Sequence, residues 1–214
     1  HNIARASEAC LSANELVKQI EIRLLRLKLE NKRFQGLSTF LEHTFEPLWA
    51  DAKDAYVSIW PLESRDNDLP HKKQILSPSD FGFHNCYKTK DAALTFLDFD
   101  YFGWDDPVKL TADFIWHPAM DLDPKMAAKW EEAMLDLFSD DTNFEGRLKA
   151  AMPLYGLRWA MIVLNEFLPE FTKRRMEAGK SSSYVPEISR KIQLNKAEEI
   201  CDKIKVIHSQ VTFV

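Results

Sequence analysis

Glycine is sparse in this 214-residue chain and never clustered, with six residues at positions 36, 82, 103, 146, 156 and 179. Loops that cradle phosphate need neighbouring residues without a Cβ, so that several backbone N–H groups can close on the oxygens. No such loop is encoded here. Cysteine is scarcer still. Cys10, Cys86 and Cys201 are odd in number, far apart and without metal-ligand spacing, which predicts free thiols in a reducing, cytoplasmic setting. Cys86 reads as a small packed side chain rather than a nucleophile. No stretch of 18 apolar residues is present and no signal-peptide pattern opens the chain, so no membrane span is expected. No basic stripe offsets the formal net charge of −5, which argues against a nucleic-acid partner. Nor does a run of strands precede Asp80 that could cover a nucleotide.

What is present is mostly helical. Hydrophobic residues make up 45% and charged residues 29%, ordinary values for a globular protein long enough to bury a sizeable core. Residues 7–30 place Leu16, Ile20, Leu24 and Leu27 at helical spacing, with Ser7 as the expected cap. A second helix is expected over 36–59, with an apolar stripe from Leu37 to Tyr56 and a kink at Pro47. After Pro61–Lys73, read as a loop, Ile75 and Leu76 are expected in a short strand. Further helices are expected over 108–116, over 124–138 with Asp123 as cap and Pro124 at the first position, over 143–171 with a break or bend at Pro153, and over 187–208. Lys173–Pro186 reads as a surface loop. Arg26 and Arg33 read as solvated, and Asn165 and Glu166 as structural hydrogen-bonding groups.

The stretch Ser77–Asp106 departs from this pattern. Asp80 is followed five residues later by Asn85. A short strand over 85–89, a turn over 90–92 and the apolar run Leu94–Phe99 then read as a hairpin. Folding it back carries Asp98 towards Asn85 and Asp80, so that oxygen-bearing side chains converge at one end of a small sheet. Hard Mg²⁺ takes such ligands, and a separate carboxylate is what accepts the proton of an attacking hydroxyl. His84 reads as a loop-packing residue beside Asp80, which suits the base role better.

Asp-x-x-x-x-Asn, a hairpin, an apolar strand ending in Asp98, then Asp106-Pro107 and Asp113 resemble the core of the aminoglycoside phosphotransferase and choline kinase group of small-molecule kinases. Pro78 and Ser79 depart from it, standing where that group commonly has His and Gly. The resemblance covers residues 76–118. It implies a mainly α fold with a small β-hairpin element, the C-terminal lobe of a protein-kinase-like fold spanning 1–214, with the N-terminal lobe absent and therefore a missing partner. It also implies ATP-dependent phosphoryl transfer to a hydroxyl of a small molecule, with ATP and Mg²⁺ as cofactors. Asp80 would be the catalytic base, Asn85 and Asp98 the cofactor-binding metal ligands, Asp100 a supporting metal ligand, and Asp113 a structural brace. The isolated chain would then be inactive. The alternative is a kinase-like binding or scaffold domain that does not catalyse.

Overall fold

The computed structural model describes residues 3–177 and 185–211. The described residues are predominantly helical, with two small antiparallel sheets of two strands each. Helix α1 spans Ala13–Glu30. It starts later than the periodicity predicts because the sequence Ser12-Ala13-Asn14-Glu15 caps it: Ser12 Oγ accepts from Glu15 N at 3.2 Å, and the Glu15 carboxylate accepts from Leu11 N at 2.7 Å. That exchange satisfies two of the N–H groups a helix leaves open at its start. Ser7 is not the cap. The residues around it are used in backbone pairing, with Ala6 N donating to Trp104 O at 3.0 Å and Trp104 N to Ala4 O at 3.0 Å.

The second helical region is α2 (Gln35–Phe40), a π-turn over Leu41–Phe45, and α3 (Glu46–Ile59). Pro47 has no N–H to give to the preceding turn, and the wider π-turn immediately before it accommodates the loss without ending the helix. The expected stripe is buried from Leu37 through Phe40, Leu41, Phe45, Leu48, Trp49 and Ala52 to Tyr56.

Strands β1 (Ile75–Ser77) and β4 (Gly103–Asp105) pair antiparallel, with Ser77 opposite Gly103. Strands β2 (Cys86–Lys88) and β3 (Leu94–Phe96) form the expected hairpin, with Cys86 opposite Phe96. The remaining helices are α4 (Pro107–Trp116), α5 (Pro124–Leu137), α6 (Phe144–Val163), α7 (Pro169–Glu177) and α8 (Pro186–Val211). Asp106 and Asp123 cap α4 and α5, accepting from Val108 N and Met126 N at 2.9 Å each. Of the break or bend expected at Pro153, the break is absent, since Pro153 lies inside α6. Two boundaries differ from expectation. A 3-10 turn over Leu164–Phe167 separates α6 from α7, and Lys173–Glu177, read as loop, belongs to α7. Residues 178–184 of that loop and the tail at 212–214 lie outside the described residues, and Pro186 already belongs to α8.

The chain divides into two compact units, one formed by residues up to Leu16 and Tyr56–Tyr155, the other by Val17–Ala55 and residues from Gly156 on. The divisions fall within α1, α3 and α6. The second unit buries Leu37 and Phe40 of α2, Leu157 and Met161 of α6, and Ala197, Cys201 and Ile204 of α8. Glu166 is 3% exposed and pairs with Arg175 at 3.0 Å, a structural role. Arg26 pairs at the surface with Glu170. A cavity of about 390 Å³ lies among Phe34, Leu37, Phe167, Arg190, Lys191 and Leu194. None of the expected site residues lines it.

The first unit holds the two sheets, α4 and α5. Gly103 is required there by close approach: a Cβ at this position would sit 2.4 Å from Ala6 N and 2.5 Å from the Arg5 carbonyl carbon. Both are backbone atoms and cannot swing aside. Gly103→Ala is expected to destabilise the protein by about 1–3 kcal/mol, the usual cost of overpacking. Denaturant unfolding measures it, and a loss below about 0.5 kcal/mol, within the range of ordinary surface substitutions, would contradict the contact.

Ahead of β1 in the chain, Lys73 belongs to a group of charges. Lys73 Nζ bridges Glu63 at 2.7 Å and Asp141 at 2.8 Å, and Asn143 donates to Glu63 at 2.6 Å. The Lys73 hydrogen bond holds the Glu63 carboxyl below its ordinary value, against the opposing effect of burial. At Asp141 burial pushes upward, but the bonds from Lys73 and Arg147 outweigh it and the net direction is down. Carboxyls that titrate lower in the folded state stabilise fully above their unfolded pKa of about 4, and that contribution is lost as pH falls through the folded values. Urea melts from pH 7 down to pH 2 are therefore expected to show stability falling below about pH 4. Lys73→Met should flatten that fall, and an unchanged profile would contradict the pairing.

Candidate functional site

Strand β1 ends at buried Ser77, whose Oγ accepts from Ser79 N at 3.0 Å. Ser79 takes φ 66°, the left-handed region that glycine enters most easily. This is where the resembled family carries Gly. A serine holds the turn here because its hydroxyl is tied on both sides, accepting from Lys109 Nζ at 3.0 Å and donating to Ser7 O at 3.3 Å. Lys109 comes from α4, is 2% exposed, and lies 3.4 Å from Asp105 and 3.2 Å from Asp113. Asp105 is anchored in turn by Cys10 N at 3.0 Å and Asp106 N at 2.9 Å. Asp113 thus braces the loop through Lys109, a residue to which the sequence reading attached no role.

Phe81 pins the next part of the loop. Its ring lies 4.5 Å from Phe96 of β3 and 5.9 Å from Phe114 of α4, and Phe114 stacks on Trp130 of α5 at 4.1 Å. One aromatic layer therefore ties the loop, the hairpin and two helices together. Gly82 follows in extended backbone. A Cβ there would fall 2.6 Å from the His84 ring and 2.6 Å from Met120 Sδ, so its absence makes room for His84 to turn back.

His84 uses that room to reach Asp80. Its Nε2 lies 2.9 Å from Asp80 Oδ1. Its ring stacks on His117 at 4.0 Å with an interplanar angle of 5°. His117 follows the C-terminal end of α4, and its Nε2 stands 3.8 Å from the same Asp80 oxygen. Burial first, and the neighbouring His84 second, depress the His117 pKa to about 4, while Asp80 and Asp113 pull upward. His117 is therefore neutral at pH 7. Its Nδ1 accepts from Ala119 N at 3.1 Å, which leaves the ring proton on Nε2, facing Asp80. Asp80 Oδ1 thus meets two imidazole nitrogens. Asp80, His84 and His117 present one ligand atom each within 4.8 Å of one another, the one such set of three His, Cys, Asp or Glu residues found among the described residues.

Asn85 ends a 3-10 turn at the start of β2. Its Nδ2 donates to Asp80 O at 2.9 Å, so the side-chain amide closes the Asp80 loop and leaves its own oxygen as a ligand atom. Leu97 N donates to Asn85 O at 2.8 Å, one register step beyond the Cys86–Phe96 pair. Asp98 follows immediately, with φ 62°. Left-handed backbone in a residue other than glycine is costly and gathers at functional sites. Asp98 and Asp100 are both exposed, and Asp100 begins the turn that leads to β4. Phe83, Tyr87, Leu94, Leu97, Phe99 and Tyr101 also stand exposed.

The structure thus ties Asn85 to Asp80 and sets Asp98 directly after Asn85's backbone partner. An amide oxygen and a carboxylate are a donor set that suits Mg²⁺, which takes few protein ligands and keeps several waters. The sequence reading missed His117, which lies just past the helix expected over 108–116. No spacing rule links it to Asp80, so no local signal could have found it. Compared with known proteins, the chain matches no family model, no curated sequence and no solved structure.

Proposed function

We propose that this chain carries the acceptor-side half of an ATP-dependent phosphotransferase that acts on a hydroxyl of a small molecule. Asp80 orients the hydroxyl and takes its proton, Asn85 and Asp98 hold Mg²⁺, and Asp100 supports that site. Bound Mg·ATP supplies the phosphoryl group and neutralises its charge. The chain's own residues contribute position: Lys109 and Ser79 hold the loop, Asn85 closes it, and Phe81 seats it on the hairpin. The observation that carries the reading is the convergence of the Asp80 loop and the end of β3, through the Asn85 side-chain bond to Asp80 O and the Leu97 bond to Asn85 O. On this reading a nucleotide-covering lobe would sit beside Asp98, whose chain neighbours Leu97 and Phe99 are exposed.

One observation favours a second reading, a binding domain of the same fold that does not catalyse. Asp80 Oδ1 is already engaged by His84, which leaves Oδ2 alone to face a hydroxyl. An ATP-consumption assay on the full-length gene product, over a panel of aminoglycosides, choline and sugar alcohols, separates the two. Acceptor-dependent, Mg²⁺-dependent ADP release is expected, and its absence across the panel together with no Mg·ATP binding would sink the enzyme reading. The 214-residue chain alone is expected to bind Mg·ATP more weakly than about 100 μM by calorimetry, a span of roughly 5.5 kcal/mol. Micromolar binding would show that it carries the nucleotide contacts itself.

A further inference from the structure

The two histidines at Asp80 are not needed by the Mg²⁺ chemistry just described, and they change what this end of the loop attracts. Two imidazole nitrogens and one carboxylate oxygen form the donor set of a borderline ion such as Zn²⁺, whereas Mg²⁺ prefers oxygen throughout. We propose that Asp80, His84 and His117 form a second divalent-metal site, selective for Zn²⁺-like ions over Mg²⁺, with three protein ligands and an open fourth position.

The distances set what binding requires. Asp80 Oδ1 is 2.9 Å from His84 Nε2 and 3.8 Å from His117 Nε2. Ligand atoms about 2.0–2.1 Å from a tetrahedral zinc stand roughly 3.3–3.4 Å apart, so shifts below 1 Å bring both pairs to that spacing. The parallel stack must splay, because a metal bound to both rings has to approach the plane of each. Neither histidine is locked inside a helix: His84 is in a 3-10 turn and His117 follows α4. His117 must also move its proton from Nε2 to Nδ1, releasing the Ala119 N–H, and Ala119 is exposed, so water replaces the lost acceptor. The absence of a side chain at Gly82 leaves the His84 ring the space it occupies beside Asp80. On the phosphotransferase reading, a metal here also occupies the oxygen of the base, so Zn²⁺ would inhibit.

The site is tested without reference to activity. The EDTA-treated chain is titrated with Zn²⁺ and Mg²⁺ by calorimetry, and with Co²⁺ by visible absorption, which reports a tetrahedral nitrogen and oxygen environment. One Zn²⁺ per chain is expected, with a Kd at least 100-fold below that for Mg²⁺. His117→Ala and Asp80→Asn should each weaken Zn²⁺ binding at least tenfold, while His43→Ala, on a helix remote in sequence, leaves it unchanged. Because His117→Ala could perturb the end of α4, His117→Gln serves as a second variant and thermal melts accompany both. Failure to bind Zn²⁺ below about 100 μM, a free energy of roughly −5.5 kcal/mol, would overturn the proposal. So would binding that ignores His117 and Asp80. Zn²⁺ binding by this chain together with no phosphoryl transfer by the full-length protein would remove the enzyme reading and leave this site standing, and the converse result would do the opposite.

Discussion

An Asp80→Asn variant of the full-length protein is expected to lose about 10²–10⁴ in kcat, the usual range when a general base is removed, with Mg·ATP affinity little changed. Asparagine keeps the size and an oxygen that still accepts from His84 Nε2. The loop should therefore stay closed and the melting temperature should remain near wild type. What disappears is the negative charge that takes the hydroxyl proton. Asp98→Asn should behave differently, because removing charge from the Mg²⁺ side weakens nucleotide binding and turnover together. Steady-state kinetics of the two variants, beside their melting curves, give the result. If Asp80→Asn turned over at the wild-type rate, Asp80 would not be the base. If both variants lost only stability, the aspartates would be structural and the binding-domain reading would take over.

Arg147→Met should produce the largest loss of stability of any single substitution considered for this chain. Arg147 is fully buried, donating from Nε to Asp106 at 3.1 Å and from Nη1 to Asp141 at 2.8 Å. Burial alone would discourage its charge, but Asp106 and Asp141 outweigh it and raise its pKa, so the guanidinium stays ionised. Removing it strands Asp106, 1% exposed, without its cation. Breaking a buried pair from one side costs about 3–5 kcal/mol, which for a chain of this size is a fall of roughly 10 °C in Tm. Asp106 also caps α4, so the strain reaches the helix that presents Lys109 and leads into His117. Arg147→Lys should recover only part of the loss, because an ammonium cannot reproduce the guanidinium's fork onto two carboxylates. Chemical denaturation of both variants measures this, and a loss for Arg147→Met below about 1 kcal/mol, as for a surface pair, would show that the network is not structural.

What could be read from the chain by itself was whatever depends on residues within about ten positions of each other. The apolar stripe from Leu37 to Tyr56 is buried as its spacing implies, because a helix brings residues three and four apart onto one face. Asp123 caps α5 for an equally local reason. The hairpin from Cys86 to Phe96 follows from strand-forming residues on either side of a short turn. Even the start of α1 was legible in Ser12-Ala13-Asn14-Glu15, although the earlier Ser7 competed with it and lost to pairing with β4. The tie between Asp80 and Asn85 is local in the same way, and the hairpin then sets Asp98 directly after Leu97, the backbone partner of Asn85.

Only the tertiary structure decided what surrounds Asp80. Lys109 reaches Ser79, and His117 reaches Asp80, because the packing of Phe81, Phe114 and Trp130 brings α4 against the loop. Nothing in the residues between fixes that approach. A helix offers many faces, and which one turns towards a loop depends on how side chains from several distant elements fill one space. The conversion of a lone Asp into an Asp held by two stacked imidazoles is therefore a product of packing. The same packing gives a buried lysine its three oxygen partners, since a cation removed from water is tolerated only where the fold supplies acceptors on several sides.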